Sequence, residues 1–376
     1  MSLTAVGSIA FDSVKTPFGE AERELGGSAI YAAVAASHFT DAFVVGPVGE
    51  DFAAAHTEQL TARGVDIAGV EEIAGGKTFN WRGHYGYDMN AAHSDETELN
   101  VFDGWLPTLP EAARGTDILF LASMDPEAQA KVHSQWNGGK WSALDTMTYW
   151  IEHKREALIA ALGLVDIALM NDQEARELTR QPMLLAAARE IMAWGPRIVV
   201  IKQGEYGSAL VTADDYFSLP GYPLEVAADP TGTGDSFAGG MLGCLDRMPE
   251  GELHEGILRR AVTYGSVMAS FCVEEFGPRR VLRMTQGEID HRFAEYKEFT
   301  HFEHVRTKDR PLHPDESHGG IPMPHKTGGT PTYETPHETG GTPQYDPVTP
   351  SQNTPNYREP HLTPGTQPLR RPGRGA

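Results

Sequence analysis

Ala228-Asp229-Pro230-Thr231-Gly232-Thr233-Gly234-Asp235-Ser236-Phe237-Ala238-Gly239-Gly240 is the most informative stretch of this 376-residue chain. It follows an apolar segment, residues 224–227, that reads as a strand, and it runs into an apolar helix predicted over residues 233–246. Two glycines in a tight turn at a helix start leave several backbone N–H groups without intrahelical partners. Together with the positive end of the helix dipole, such groups form an anion site. Asp235 lies inside the same turn. Its residue type and place leave two readings open. It is a first-turn carboxylate favoured by the dipole, or a general base taking the proton of a hydroxyl that attacks a terminal phosphate.

Working outward, short β-rich runs alternate with helical patterns. Strands are predicted at 4–9, 42–45, 118–122, 167–170, 198–202 and 208–212, with helices at 28–38, 52–62, 128–136, 151–162, 172–178, 182–194, 233–246 and 253–273. Strands alternating with helices imply an α/β fold with a mainly parallel sheet covered on both faces. Residues 67–105 break the rhythm. They read as strands and turns with aromatic and polar residues in near alternation, as in Thr78-Phe79-Asn80-Trp81-Arg82-Gly83-His84-Tyr85. With residues 12–24 they are expected to form a small β-sheet lid or a surface excrescence at the edge of the main sheet.

The folded region is expected to span residues 1–300. From His301 onward Gly, Pro, Thr and His dominate, and Thr327-Gly328-Gly329-Thr330-Pro331 returns as Thr339-Gly340-Gly341-Thr342-Pro343. Such a composition cannot bury enough apolar surface to offset its ordering entropy, so residues 301–376 are expected to be a disordered tail. The tail holds eight basic and eight acidic residues, so the net charge of -21 belongs to the preceding region. That charge disfavours nucleic acid and anionic membranes as partners and suits a neutral small molecule. The two cysteines, Cys244 and Cys272, lie in apolar helical stretches and imply no disulfide framework. No basic region precedes a long apolar run at the N-terminus, and nowhere do eighteen apolar residues run together, so a cytoplasmic location is expected. Gly75-Gly76-Lys77-Thr78 is not a P-loop: Glu71 stands where the motif needs glycine, and a β-rich run follows it. The histidines form no zinc-binding pattern.

The Asp229–Phe237 segment closely resembles the C-terminal signature of the PfkB, or ribokinase-like, carbohydrate kinases, with Thr233 where that family usually has Ala. Further resemblances follow in the family's order: Gly7-Ser8-Ile9-Ala10-Phe11-Asp12, the pair Gly26-Gly27 before an Ala-rich helix, Gly46-Pro47-Val48-Gly49-Glu50-Asp51, Asn171-Asp172-Gln173-Glu174 and Lys202-Gln203-Gly204-Glu205-Tyr206-Gly207. Together they reach from Gly7 to about Gly277.

The resemblance implies a three-layer α/β/α ribokinase-like fold with a small β-sheet lid, and phosphoryl transfer from ATP with Mg²⁺. Asp235 would be the base, and the amides of Gly232, Thr233 and Gly234 would hold the transferring phosphate. Asp12, Gly26 and Gly27 would hold the acceptor. Asn171, Lys202, Gly204 and Gly207 would serve the nucleotide, Glu174 would act on Mg²⁺ through water, and Asp229 and Thr231 would form a monovalent-cation (K⁺) site. Two departures stand out. Ala10 and Tyr31 occupy positions where ribokinase-like sequences often carry Asn, so ribose itself is not implied as the acceptor. The acceptor is thus expected to be a sugar or related molecule, the alternative being a nucleoside of the adenosine type. A catalytically silent sugar- or nucleotide-binding regulator is the reading from another class, and pairing of two copies through the lid is the expected assembly.

Overall fold

The computed structural model describes residues 1–248 and 255–301. The expected 301–376 tail therefore falls, beyond His301, outside the described residues. A nine-stranded sheet forms the centre, in the order Tyr216–Leu219, Ser208–Val211, Ile198–Lys202, Ile167–Asn171, Trp141–Asp145, Ile118–Leu121, Ser2–Val6, Asp41–Gly49 and Val65–Ile73. Seven of these run parallel, and the two at the Tyr216 edge turn back antiparallel.

The strand sequences explain the three layers. Ile198-Val199-Val200-Ile201 is apolar throughout because both of its faces are covered, as parallel strands require. Side chains alternate across a strand, so Ile198 and Val200 enter one core and Val199 and Ile201 the other. The first core is closed by the helices Ser28–Ala36, Thr233–Asp246 and Glu255–Cys272, and the second by Pro126–His133, Arg155–Leu162, Asp172–Thr179 and Leu184–Trp194.

Two of these helices determine where the site lies. Gly239 has no room for a side chain, since a Cβ there would collide with the Ala32 carbonyl oxygen, and a Cβ at Gly243 would come 3.1 Å from that of Ala36. Contacts at 32 with 239 and at 36 with 243 advance in the same direction. The helices Ser28–Ala36 and Thr233–Asp246 are therefore parallel and in close contact, which brings their N-termini to the same end of the molecule.

A second sheet has the order Gly19–Gly26, Ala10–Thr16, Phe79–Tyr85, Ala92–Glu98. Its outer pairs are antiparallel, and the central pair, Ala10–Thr16 with Phe79–Tyr85, is parallel. Residues 65–73 differ from the expected lid boundary. They form an edge strand of the main sheet beside Asp41–Gly49, so the small sheet draws on the 67–105 segment only through Phe79–Tyr85 and Ala92–Glu98. The strand expected at 224–227 is also absent. That segment is irregular, and the chain is held just beyond it by the Ala228 amide donating to the Val273 carbonyl (2.8 Å) and by the Thr16 hydroxyl donating to the Ala228 carbonyl (2.9 Å). The expected helix 151–162 is two helices, Thr148–His153 and Arg155–Leu162, divided at Lys154, whose ammonium is drawn aside to Asp125 (2.7 Å) and Glu127 (2.6 Å).

Candidate active site

Ligands in open parallel sheets bind beyond the carboxyl ends of the strands, and the register brings the polar residues there. Asp145 ends its strand level with Leu169, while Asn171 and Lys202 face each other across neighbouring strand ends. An acid, an amide and an amine thus stand at one edge because each is the polar residue that ends its strand.

Asn171 caps the helix Asp172–Thr179 reciprocally with Glu174. The Asn171 side-chain oxygen accepts from the Glu174 amide (2.8 Å), and Glu174 Oε2 accepts from the Asn171 amide (2.8 Å). Capping therefore engages one oxygen of Glu174 and holds the buried carboxyl in place. Burial, reinforced by Asp145, pushes Glu174 up to about 8. Lys202 is bonded to the Asp145 carboxylate. Burial works to lower its ammonium, but Asp145, Glu174 and Asp235 outweigh that and raise it, so the amine stays charged.

The Gly232 turn lies directly against this amine: a Cβ on Gly234 would come 3.0 Å from Lys202 Nζ. Gly232 has φ of 73°, the left-handed region that favours glycine, and serves as the helix N-cap with no side chain to cap the turn. Not every amide of the turn is free. The Thr233 amide donates to the Pro230 carbonyl (3.2 Å), as does its hydroxyl (2.7 Å). This corrects the expectation that the Thr233 amide holds phosphate. Its hydroxyl-bearing side chain instead braces the turn, something an Ala at that position could not do. Among the described residues, the Gly232, Gly234 and Asp235 amides carry no protein partner. The Asp235 carboxyl is part-buried. Burial pushes it up to about 8, with Asp145, Asp12 and Glu174 adding repulsion and Lys202 opposing them.

The opposite wall comes from the small sheet. Asp12 sits at a β-bulge, where the register slips between Asp12 and Val14 against Gly19–Gly26. Bulges re-aim side chains in this way, and Asp12 is buried. A side chain on Gly26 would collide with its carboxylate, and Gly27, with φ of 96°, would bring a Cβ to 2.8 Å from the Ala10 amide nitrogen. The paired glycines make room for Asp12 and for the chain at Ser8–Ala10. Burial, with Asp229 adding to it, pushes Asp12 up to about 7, against the pull of the Gly27 amide and the Tyr31 hydroxyl.

Other expected residues have structural work. Asp229 Oδ1 accepts from the Thr231 amide (2.9 Å) and Oδ2 from the Gly277 amide (3.1 Å), so each of its oxygens is engaged. The Thr231 hydroxyl meets that of Tyr85 (3.2 Å) across from the small sheet. Gly204 and Gly207 have positive φ, and side chains there would collide with Asn90 and with the Leu219 carbonyl respectively. Asn90 bonds Glu205 through the amide (3.0 Å) and the carboxylate (3.2 Å), linking the small sheet to this loop. Asp51 likewise ties Arg23 (3.1 Å) to the Thr78 amide (2.7 Å), so the Gly46–Asp51 element fastens the two sheets together. From sequence alone, Asp145-Thr146-Met147-Thr148-Tyr149-Trp150 offers either substrate or architectural contacts, and the structure pairs Asp145 with Lys202. A legible signal is that an acid ends the strand Trp141-Ser142-Ala143-Leu144-Asp145, as Asn171 and Lys202 end theirs.

An acid and free amides in one turn, a charged amine touching that turn and a second acid opposite make an arrangement suited to moving an anionic group onto a hydroxyl. Comparison with known proteins agrees with this. Residues 3–283 match the model of the pfkB family carbohydrate kinases. A cytidine kinase of Thermococcus kodakarensis is 30% identical over 254 residues, covering 66% of this chain and 89% of the relative. Among solved structures, a Burkholderia thailandensis nucleoside kinase in complex with inosine superposes with a TM-score of 0.65 at 20% identity, over 78% of this chain and 97% of the other. An E. coli protein described as a ribokinase II, in complex with ATP and Mg²⁺, gives 0.65 at 19% identity, over 78% and 99%. No helix among the described residues is long and apolar enough to cross a membrane. The fold, the Gly232–Asp235 turn and a match spanning most of the sequence lead to one conclusion: this chain belongs to the pfkB family of carbohydrate kinases.

Proposed function

We propose that the chain transfers the γ-phosphoryl group of ATP to a hydroxyl of a nucleoside. The observation that carries this reading is the Gly232–Asp235 turn, where a carboxyl and three unpartnered amides share one helix start against the Lys202 ammonium. The similarity to a cytidine kinase, and to a fold that holds inosine in another protein, favours a nucleoside over a free sugar.

In this reading Asp12 accepts hydroxyl hydrogens of the acceptor and fixes its orientation, which removes the entropic part of the barrier. The Asp235 carboxylate takes the proton of the attacking hydroxyl. As that oxygen bonds to the γ-phosphorus, the bond from the γ-phosphorus to the bridging oxygen breaks and ADP leaves. Charge spreads over the transferring phosphoryl oxygens, which the amides of Gly232, Gly234 and Asp235 and the Lys202 ammonium would stabilise. The residues fit Mg²⁺ held through water and nucleotide phosphates. The described residues contain no cluster of three or more ligating side chains, yet Glu174 and Asp145 form a buried acidic pair that a divalent cation would neutralise. Such a cation would screen the phosphates during transfer. Asp229, with both oxygens engaged, leaves the proposed K⁺ site dependent on Thr231 and backbone carbonyls.

The test is ADP release with Mg²⁺ and ATP across cytidine, inosine, adenosine, ribose and fructose. Turnover with a nucleoside at least tenfold above any free sugar is the expected result. A preference for a free sugar would overturn the acceptor assignment, and no release with any acceptor would overturn the kinase reading itself.

A further inference from the structure

Tyr31 lies in the first turn of the helix Ser28–Ala36, its amide donating to the Gly27 carbonyl (3.2 Å). Its side chain is 1% exposed. The ring lies against Gly232, so that a methyl group added there would run into it. The hydroxyl is buried with no hydrogen-bond partner among the described residues. It faces the Asp12 carboxylate and favours its ionised form. Leaving a buried O–H unpaired is costly, and this one is kept where the acceptor wall and the phosphate turn meet.

Resting on the kinase reading, we propose that Tyr31 is the positioning residue that joins the two halves of the site. Its ring sets the height of the Gly232 turn, and its hydroxyl, facing Asp12, supports the ionised carboxylate already in the ligand-free fold and keeps it aimed at the acceptor. The surroundings of Asp12 explain why a donor is needed. Asp229 and Asp235 face it from the phosphate side, Glu24 stands opposite on the neighbouring strand, and Tyr85 and Cys272 complete the enclosure around Tyr31 and Asp229. Asp229 and Asp235 favour the protonated form of Asp12, while Glu24 is held by Arg279. The Gly27 amide and the Tyr31 hydroxyl are the groups that favour the ionised one. An ionised carboxylate accepts two hydroxyl hydrogens at once, whereas a protonated one has given up part of that capacity.

Tyr31→Phe removes the hydroxyl and keeps the ring. The direct readout is the pH titration of the Asp12 carboxyl carbon by ¹³C NMR in aspartate-labelled protein, assigned with Asp12→Asn. The midpoint, about 7 in the parent, should move to higher pH in Tyr31→Phe. With cytidine as acceptor, KM at pH 7 should rise about tenfold, the worth of a hydrogen bond to a charged group. The KM for ATP should stay at its wild-type value, and the loss should be recovered at pH 9. Tyr31→Leu, which removes the platform, should lower kcat. A titration midpoint for Asp12 that is the same in Tyr31→Phe and the parent overturns the proposal. That measurement needs no turnover, so its failure is distinct from a failure of the kinase reading, which absence of ADP release in the parent would show.

Discussion

The two walls of the proposed site, one for the phosphate and one for the acceptor, are built differently. The phosphate wall consists of strand ends and a helix start: Asp145, Asn171 and Lys202 follow apolar runs whose register is locked by cores on both faces, and the Gly232 turn rests on a helix in close contact with its neighbour. The acceptor wall is a small sheet with a bulge at Asp12, and its outer strand Ala92–Glu98 is exposed along its whole length. A transferring phosphoryl group is the same for every acceptor, so a rigid wall that presents amides suits it. Acceptors differ, and a thin sheet whose residues can be exchanged without disturbing the main core can accommodate that. Changes in the phosphate wall should therefore abolish chemistry whatever the acceptor, while changes in the acceptor wall should alter which acceptor is used.

The largest effect is expected at Asp235. Asp235→Asn keeps the size of the side chain and the free amides but removes the proposed base. Turnover should fall by about 10²–10⁴-fold, as expected for the loss of general base catalysis, while nucleotide binding measured by calorimetry stays close to wild type. Unchanged turnover would assign the base elsewhere and dissolve the contrast between the walls.

Next comes Lys202. Replacing it with Met leaves Asp145 buried without its ion-pair partner. Breaking one side of a buried pair costs about 3–5 kcal/mol, so the urea midpoint should drop sharply. The double change Lys202→Met with Asp145→Leu should restore most of that stability without restoring activity. A single variant as stable as the parent would mean that the pair is solvated and that the wall is not rigid there.

The phosphate wall was also the more legible in the sequence, for the same physical reason. Apolar runs ending in one polar residue mark parallel strand ends, and Gly-Thr-Gly-Asp before an apolar helix marks an anion-binding turn. Residues 198–202 and 233–246 were expected with the bounds the structure shows. What could not be read depends on contacts distant in sequence. That the Thr233 amide is committed to Pro230 follows from the turn's three-dimensional path. The glycine at 26 answers to a carboxylate fourteen residues earlier, which reaches it only through the bulge. Residues 65–73 join the main sheet because Asp41–Gly49 offers them an edge, although their own pattern suits either sheet. The run at 224–227 is apolar enough for a strand but finds no partner strand, and composition alone does not reveal that.

A smaller effect tests how the walls are held together. Gly239→Ala places a methyl group against the Ala32 carbonyl and pushes apart the two helices that carry Gly27 and Gly232. Overpacking of this kind costs about 1–3 kcal/mol. Because the helices bring the acceptor and phosphate groups together, kcat should fall although residue 239 touches neither substrate. Lower stability with unchanged kcat would show that the separation of the walls is set elsewhere.

The smallest effect concerns the protonation of both walls together. Asp12 at about 7 and Glu174 and Asp235 at about 8 all lie far above the ordinary values of 3.8 and 4.5. The folded protein keeps these protons to pH 7–8, while the unfolded chain releases them near pH 4. Their contribution to stability is therefore complete below pH 4 and is lost as pH rises through 7 and 8. The ligand-free parent should melt at a lower temperature at pH 9 than at pH 6. Asp235→Asn has no proton to lose at that position and should fall less over the same interval, by about 1–3 °C. Repulsion among the remaining surface carboxylates acts on parent and variant alike and cancels in the comparison. Equal pH slopes for the two proteins would mean that Asp235 is already ionised in the ligand-free fold. The burial argued for the phosphate wall would then be too deep, and the two walls would differ less in their electrostatics than in their architecture.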